Sequence, residues 1–308
     1  MADGKTLFKY GCFGCLGVIL LTVGSLAIVI GVAKMQSGDV EVAQETATPE
    51  IPLSSVNLPE SGVLYADVNL PEAAGTIELD LAGGEFHIRP AAQGDSLHVE
   101  AVFDKASYSF EESLTTGGTD GWVYRVTFRQ TGSGFFAANK EMVSDVKPRV
   151  DVYLPTDQPV ALDLRLSKGG AEVELGGLWL TEADINMEMG GMAMDVSEPL
   201  QAPMDRLSTS ASMGGFAVSR LGNASPRILE VDAKMGGMAL DLRGKWVTDS
   251  DVSIRFAMGG AEVRLPDGVR FEGLERSGVT VQEDGEIPLP TLTFDITGEP
   301  ENLEIRYP

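Results

Sequence analysis

Between residues 160 and 265 the apolar side chains fall on alternate positions, in short runs that come in pairs joined by two glycines. Ile185, Met187 and Met189 precede Gly190-Gly191; Leu229, Val231, Ala233 and Met235 precede Gly236-Gly237; Val252, Ile254, Phe256 and Met258 precede Gly259-Gly260. A period of two marks a strand with one buried face. After each pair the parity changes, to Met192, Met194 and Val196, to Met238, Leu240 and Leu242, and in the opposite sense to Ala261, Val263 and Leu265. A one-residue slip turns every side chain to the other face. Each glycine pair therefore predicts a corner or bulge that keeps the apolar side inward. Glycine suits such a place because it accepts positive φ and leaves room for a neighbouring coil.

The pattern repeats. Gly169-Gly170, Gly190-Gly191, Gly214-Gly215, Gly236-Gly237 and Gly259-Gly260 are spaced 21, 24, 22 and 23 residues apart, and a sixth copy, Gly83-Gly84, lies upstream in TIELDLAGGEFHIRP. Two strands per repeat and about 22 residues per repeat predict an all-β chain, a single-domain right-handed β-helix or solenoid; helical repeats are longer and carry a 3.6-residue period. Upstream the pattern is less regular. Strands are predicted over Ile77–Leu81, Phe86–Ile88, Leu97–Phe103, Trp122–Phe128 and Val150–Leu154, and loops over Ser113–Gly121 and Thr131–Lys147, where FFAANKEMV is the helix candidate. The 86 residues from Gly83 to Gly169 are close to four coils, so the solenoid is expected to run through them with one irregular insertion. Downstream, Pro266-Asp267-Gly268 predicts a turn, and strands over Leu292–Ile296 and Leu303–Tyr307 are expected to cap the stack.

The N-terminal residues change pattern altogether. Residues 16–33, LGVILLTVGSLAIVIGVA, carry no charge. As a helix they span about 27 Å, close to the hydrocarbon core and longer than the apolar part of a signal peptide. A transmembrane helix is expected there. Lys5 and Lys9 precede it and Asp39, Glu41, Glu45 and Glu50 follow, which places residues 1–15 in the cytoplasm and the rest outside the cell membrane. Residues 34–61 read as a flexible tether and 62–308 as an extracytoplasmic β-solenoid. Gly17, Gly24 and Gly31 share one side of the helix, as a helix–helix contact or as the ordinary glycine content of membrane helices.

A net charge of −23 argues against nucleic-acid binding and against adsorption to anionic lipid. It leaves a solubilising surface or an attraction for cationic ligands. Cys12 and Cys15 are the only cysteines; a lone Cys-x-x-Cys is a weak metal or redox signal, and no disulfide can hold the outer part. His87 and His98 read as ordinary surface histidines. Ser144-x-x-Lys147 lacks its partner motifs. Glu174, Asp195 and Asp241 predict an outward acidic row broken by Ser219 and Arg264, with a weak divalent-cation surface as the alternative. Methionine thioethers suit Cu(I). Met189, Met213, Met235 and Met258, however, share the slot before each glycine pair that alternation turns inward, which predicts a methionine ladder in the core. The assignable outward positions are Glu, Asp, Asn, Arg, Ala and Ser, with no aromatic stripe. No hydrolase, zincin or phosphate-loop motif is present. No catalytic, cofactor or metal residue is therefore expected, and the residues singled out are the twelve corner glycines.

VDVYLPTDQPVALDLRLSKGGAEVELGGL and TIELDLAGGEFHIRP resemble the bacterial putative-adhesin domain of LiaG-like proteins, and MGGAEVRLPDGVRFEG resembles the C-terminal segment of LiaF-like proteins. Both belong to membrane-tethered β-solenoids called toastracks. The resemblance covers about 62–308. It implies the fold and a non-enzymatic role in envelope-stress sensing through protein partners, or an adhesin-like role in binding a surface or cell-wall polymer. Its shared residues are corner glycines and buried apolar positions, so no functional residue carries over. LiaF-like proteins have several N-terminal spans, where this chain has one.

Overall fold

The computed structural model describes residues 61–68, 70, 74–118, 121–131, 146–274 and 289–308. The expected cytoplasmic stretch, span and all but the last residue of the tether lie outside these, as do FFAANKEMV and Ser144. Among the described residues no helix is long and apolar enough to cross a membrane.

These residues are nearly all β. The N-terminal strands are β1 (Ser61–Asp67), β2 (Gly75–Pro90), β3 (His98–Asp104), β4 (Tyr108–Gly118), β5 (Gly121–Gln130) and β6 (Arg149–Leu154). The central ones are β7 (Val160–Glu174), β8 (Leu180–Asp195), β9 (Arg206–Ser219), β10 (Ile228–Met235), β11 (Met238–Asp241), β12 (Ser250–Met258) and β13 (Ala261–Arg264). The chain ends with β14 (Arg270–Glu272), β15 (Thr291–Thr297) and β16 (Leu303–Arg306). Strands β2, β7, β8 and β9 each run through a glycine pair as one bent strand. In the next two coils the same path is split at the pair, into β10 and β11 and into β12 and β13. Each coil thus has two arms, and both pair in parallel with the matching arm of the next coil.

The return segment makes a third side, whose Leu178, Leu200, Met204, Leu221, Leu242 and Trp246 are buried in the same core as the arms. Returns vary in length, which absorbs the uneven spacing of the glycine pairs. They are stitched by backbone bonds such as Leu200 N–H to Asn223 C=O (2.9 Å) and Gln201 N–H to Leu178 C=O (3.0 Å). The Asn223 side chain reaches both ways, donating to Val196 C=O (2.8 Å) and accepting from Lys245 N–H (3.0 Å). Losing one partner of a half-buried bond leaves the other unsatisfied. Asn223→Ala is expected to cost about 2 kcal/mol and lower the melting temperature; an unchanged thermal scan would remove this stitch from the account.

Only the first glycine of each regular pair is irreplaceable. Gly169, Gly190, Gly214, Gly236 and Gly259 have φ between 125° and 139°, and a Cβ on each would overlap the carbonyl oxygen of the preceding coil's glycine. The upstream copy is out of phase: Gly84, not Gly83, pairs with Gly169, across a bulge at Ala82.

Two expectations are corrected. The corner takes in four residues, not two. In β8 the inward positions are Ala183, Ile185 and Met187, then Met192 and Met194, so parity breaks before the glycines and Met189 points out. The methionine ladder is therefore at the surface. Secondly, the region before residue 155 is not a run of four coils. Strands β5 and β6 supply the two arms of one coil, both parallel to β2 on the side away from β7. Antiparallel β4 covers β5, and antiparallel β3 and β1 extend the sheet beyond β6. Strand β4 occupies much of the expected Ser113–Gly121 loop; it is an edge strand, so its sequence is mostly polar. Phe128 anchors this end, stacked on Tyr108 (5.2 Å) with Phe103 (5.4 Å) and Phe86 (6.0 Å) edge-on. At the other end β15 and β16 form one more coil, parallel to β12 and β13.

Candidate functional site

The outer face of β2, β6 and β3 sets His87 against the carboxylate of Asp151 and His98 against the ring of Tyr153. Alternation sends His87 and Arg89 outward on β2, and Arg149, Asp151 and Tyr153 outward on β6. Register then sets His87 beside Asp151, Arg89 beside Tyr153 and Tyr153 beside His98. Asp151 is covered by these neighbours, its side chain only 3% exposed. Its Oδ1 accepts from His87 Nδ1 (2.8 Å) and from the Arg89 guanidinium (2.7 Å), and Arg149 Nε lies 2.8 Å from Oδ2. Burial pushes this carboxyl up, but the His87 hydrogen bond and the charges of Arg149, His87 and Arg89 together hold it below its ordinary value.

Tyr153 is held from both sides. His98 stacks on its ring at 4.1 Å and 14°, and the Arg89 guanidinium lies 4.7 Å from the ring centroid while donating to the hydroxyl (3.1 Å). Asp151 Oδ1 takes both hydrogen bonds, while buried Oδ2 has the Arg149 ion pair but no hydrogen bond among the described residues, so the carboxylate holds the two guanidiniums in place. Arg89 and Arg149 keep 45% and 46% of their side chains exposed, and their free N–H groups can meet a carboxylate or other anion from outside. Alternation marks His87 as outward, but nothing in it brings β6 beside β2 and β3. Arg89, Arg149, Asp151 and Tyr153 escape notice for that reason, and Tyr153 is an outward aromatic that the pattern does not announce.

The acidic row forms as expected: Glu174 pairs with Asp195, Asp195 with Ser219, and Asp241 with Arg264. Its carboxylates are already engaged. Glu174 accepts from Gly176 N–H (2.7 Å) and from Ser197 N–H and Oγ (3.0 Å each); Asp195 is paired with Arg220 and Asp241 with Arg243. Among the described residues no group of three or more His, Cys, Asp or Glu is placed to hold a metal. The corner glycines form a ladder along one edge of the stack, with no side chain to act on a ligand.

The outer face of the first arms carries polar rows at rung spacing. One runs Glu78, Asp163, Asp184, Ser208, Glu230, Ser253; the next runs Asp80, Arg165, Asn186, Ser210, Asp232, Arg255. Ion pairs Arg125–Glu78, Arg129–Asp80, Arg165–Asp163 and Arg206–Glu230 lie on this face. An open groove of about 510 Å³ lies here, lined by Asp80, Arg129, Arg165, Asn186 and Glu188 among others.

No family model matches the chain, and no curated protein does. Solved structures give distant likenesses. A "putative cell adhesion protein" from Clostridium sporogenes is 14% identical with a TM-score of 0.39, over 81% of this chain and 100% of that one. A "putative adhesin" from Bacteroides fragilis is 10% identical with a TM-score of 0.26, over 80% and 97%. A "putative lipid binding protein" from Parabacteroides distasonis is 10% identical with a TM-score of 0.25, over 80% and 96%. Two of the three carry an adhesion name, and none carries a LiaG- or LiaF-like name. These likenesses are too distant to transfer a role.

Proposed function

We propose that this chain is a non-enzymatic protein of the bacterial cell envelope, anchored by residues 16–33, that binds a surface or cell-wall polymer in the manner of an adhesin. Its coils are taken as right-handed, as parallel strand–crossover–strand connections nearly always are. The observation that carries this reading is the polar groove on the first-arm face, set in rows that repeat from rung to rung. Strands about 4.8 Å apart offer a linear polymer a polar or charged side chain at every rung, so many weak contacts add.

A protein partner, as in envelope-stress signalling, is a second reading. The ionic cluster favours it, because half-exposed arginines pre-set by a buried carboxylate beside a tyrosine are the residue types enriched at interface hot spots. Crosslinking and recovery from intact membranes separates the two. The full chain is compared with a variant lacking residues 1–33, with Asn186→Arg/Ser210→Arg, and with Arg89→Ala/Arg149→Ala. Polymer recovered with and without the anchor, and lost in the Asn186/Ser210 variant, is the expected result. Recovery of only an envelope protein, lost with the anchor or with the two arginines, would replace the polymer reading with the second.

A further inference from the structure

We propose that Met189, Met213, Met235 and Met258 form a surface thioether ladder that binds a soft monovalent metal ion, Cu(I) or Ag(I). The four side chains are 46%, 39%, 40% and 64% exposed. They occupy one slot on four successive rungs. Met189 pairs with Met213 and Met235 with Met258. Gly236 lies against the Gly214 carbonyl as Gly214 lies against that of Gly190, which sets Met213 and Met235 on adjacent rungs too.

Packing does not account for the repetition. The buried slot two residues earlier, where the core imposes its demands, changes freely from rung to rung: Leu166, Met187, Ala211, Ala233, Phe256. The outward slot between them also varies, as Glu188, Ser212, Lys234 and Ala257. Of these three slots, only the exposed one beside the glycine pair keeps one residue type over four coils. Nor does that corner demand an apolar side chain, since the coil before Met189 has Lys168 there. A constant methionine where the chain is least constrained by packing points to the sulfur itself.

Rung spacing suits the chemistry. Neighbouring methionines start about 4.8 Å apart, and their three-bond side chains are flexible enough to turn two or three sulfurs to one point between rungs. Thioethers are soft and neutral, so they select Cu(I) or Ag(I) and do little for hard divalent ions. A chain of net charge −23 favours the approach of a cation.

The test uses the full-length chain in detergent with Cys12→Ser and Cys15→Ser, because those thiols would capture the same ions. Ag(I) is titrated calorimetrically, and Cu(I) is measured without oxygen against a chromogenic chelator, with X-ray absorption reading the ligand atoms. Sulfur-ligated binding is expected. Met213→Leu/Met235→Leu keeps the apolar bulk but leaves Met189 and Met258 about 14 Å apart along the stack. Affinity should fall by more than roughly a hundred-fold, since even supporting contacts at metal sites are worth 10–100-fold. Met258→Leu, at the most exposed rung, should weaken binding or lower its stoichiometry, and buried Met204→Leu should change neither. Absence of Ag(I) binding, nitrogen or oxygen ligation only, or equal affinity in both ladder variants would overturn the proposal.

Discussion

Alanine at Gly214 will break the coil stack, while alanine at the adjacent Gly215 will leave it standing. Gly214 has φ of 125°, and its added Cβ would overlap the Gly190 carbonyl oxygen. That oxygen belongs to backbone held in the same ladder, so no side chain can swing aside. The φ alone strains an L-residue by about 1–3 kcal/mol. Parting the rungs brings the total above about 4 kcal/mol, in the range reserved for severe substitutions. At Gly215 the nearest atom to a Cβ is the Gly237 carbonyl oxygen at 3.6 Å, an ordinary contact. Gly215→Ala should shift stability by less than about 1 kcal/mol, with the unfolded chain's lost freedom offsetting any crowding. Urea unfolding followed by circular dichroism measures both. In a stack whose repeats touch only neighbours, hydrogen exchange should also show β8, β9 and β10 losing protection first in the Gly214 variant. Equal costs at the two glycines would refute the asymmetric corner.

Asp151→Asn should be the second large effect. The substitution keeps the shape and strips the charge that His87, Arg89 and Arg149 share. Removing one partner of a buried ion pair costs about 3–5 kcal/mol. Here Arg89 and Arg149 still reach water, so about 2–3 kcal/mol is expected near neutral pH. The pH dependence follows from the depressed folded value of the carboxyl. In the unfolded chain it titrates near its ordinary value of about 3.9. Between the two values the unfolded state holds more protons, so stability rises with pH there. The contribution is fully present above the unfolded value and is lost as pH falls through the folded one. Melting temperatures of the two proteins should therefore lie far apart at pH 7 and converge on acidification below about pH 4. A gap that stays constant to low pH would show that the charge is not what Asp151 contributes.

Much of the architecture is legible in the chain because it is local. Alternation in Leu229, Val231 and Ala233, or in Val252 and Ile254, reports which side of a strand meets the core, and the burial follows it position by position. Legibility stops where a corner begins. Extrapolating the same alternation by two residues turned Met189, Met213, Met235 and Met258 inward, but a corner of four residues breaks parity before the glycines do. A pattern reports a regular backbone and cannot locate the residue at which the regularity ends.

The ionic cluster was illegible for a different reason. His87 is far from Asp151 in the chain, as His98 is from Tyr153, and each pair meets because β6 pairs with β2 in parallel and with β3 in antiparallel fashion. The near-regular count from Gly83 to Gly169 suggested stacking in sequence order. The chain instead places the β5/β6 coil beyond β2 and returns to β7 on the other side. A repeat count measures length and carries no information about which side of an existing coil the next one takes.

The sequence by itself determined the strands of the regular coils, the inward face of each arm up to its corner, the glycine pair about which each arm bends and the acidic row with its interruptions, because all of these depend on side-chain order along a backbone with a two-residue period. Tertiary structure alone decided that the first glycine of each pair is the constrained one, that four methionines line an outer edge, and that an aspartate gathers two arginines and a histidine. Each of these rests on contact between coils, where backbone register and the geometry of the turn choose the neighbours.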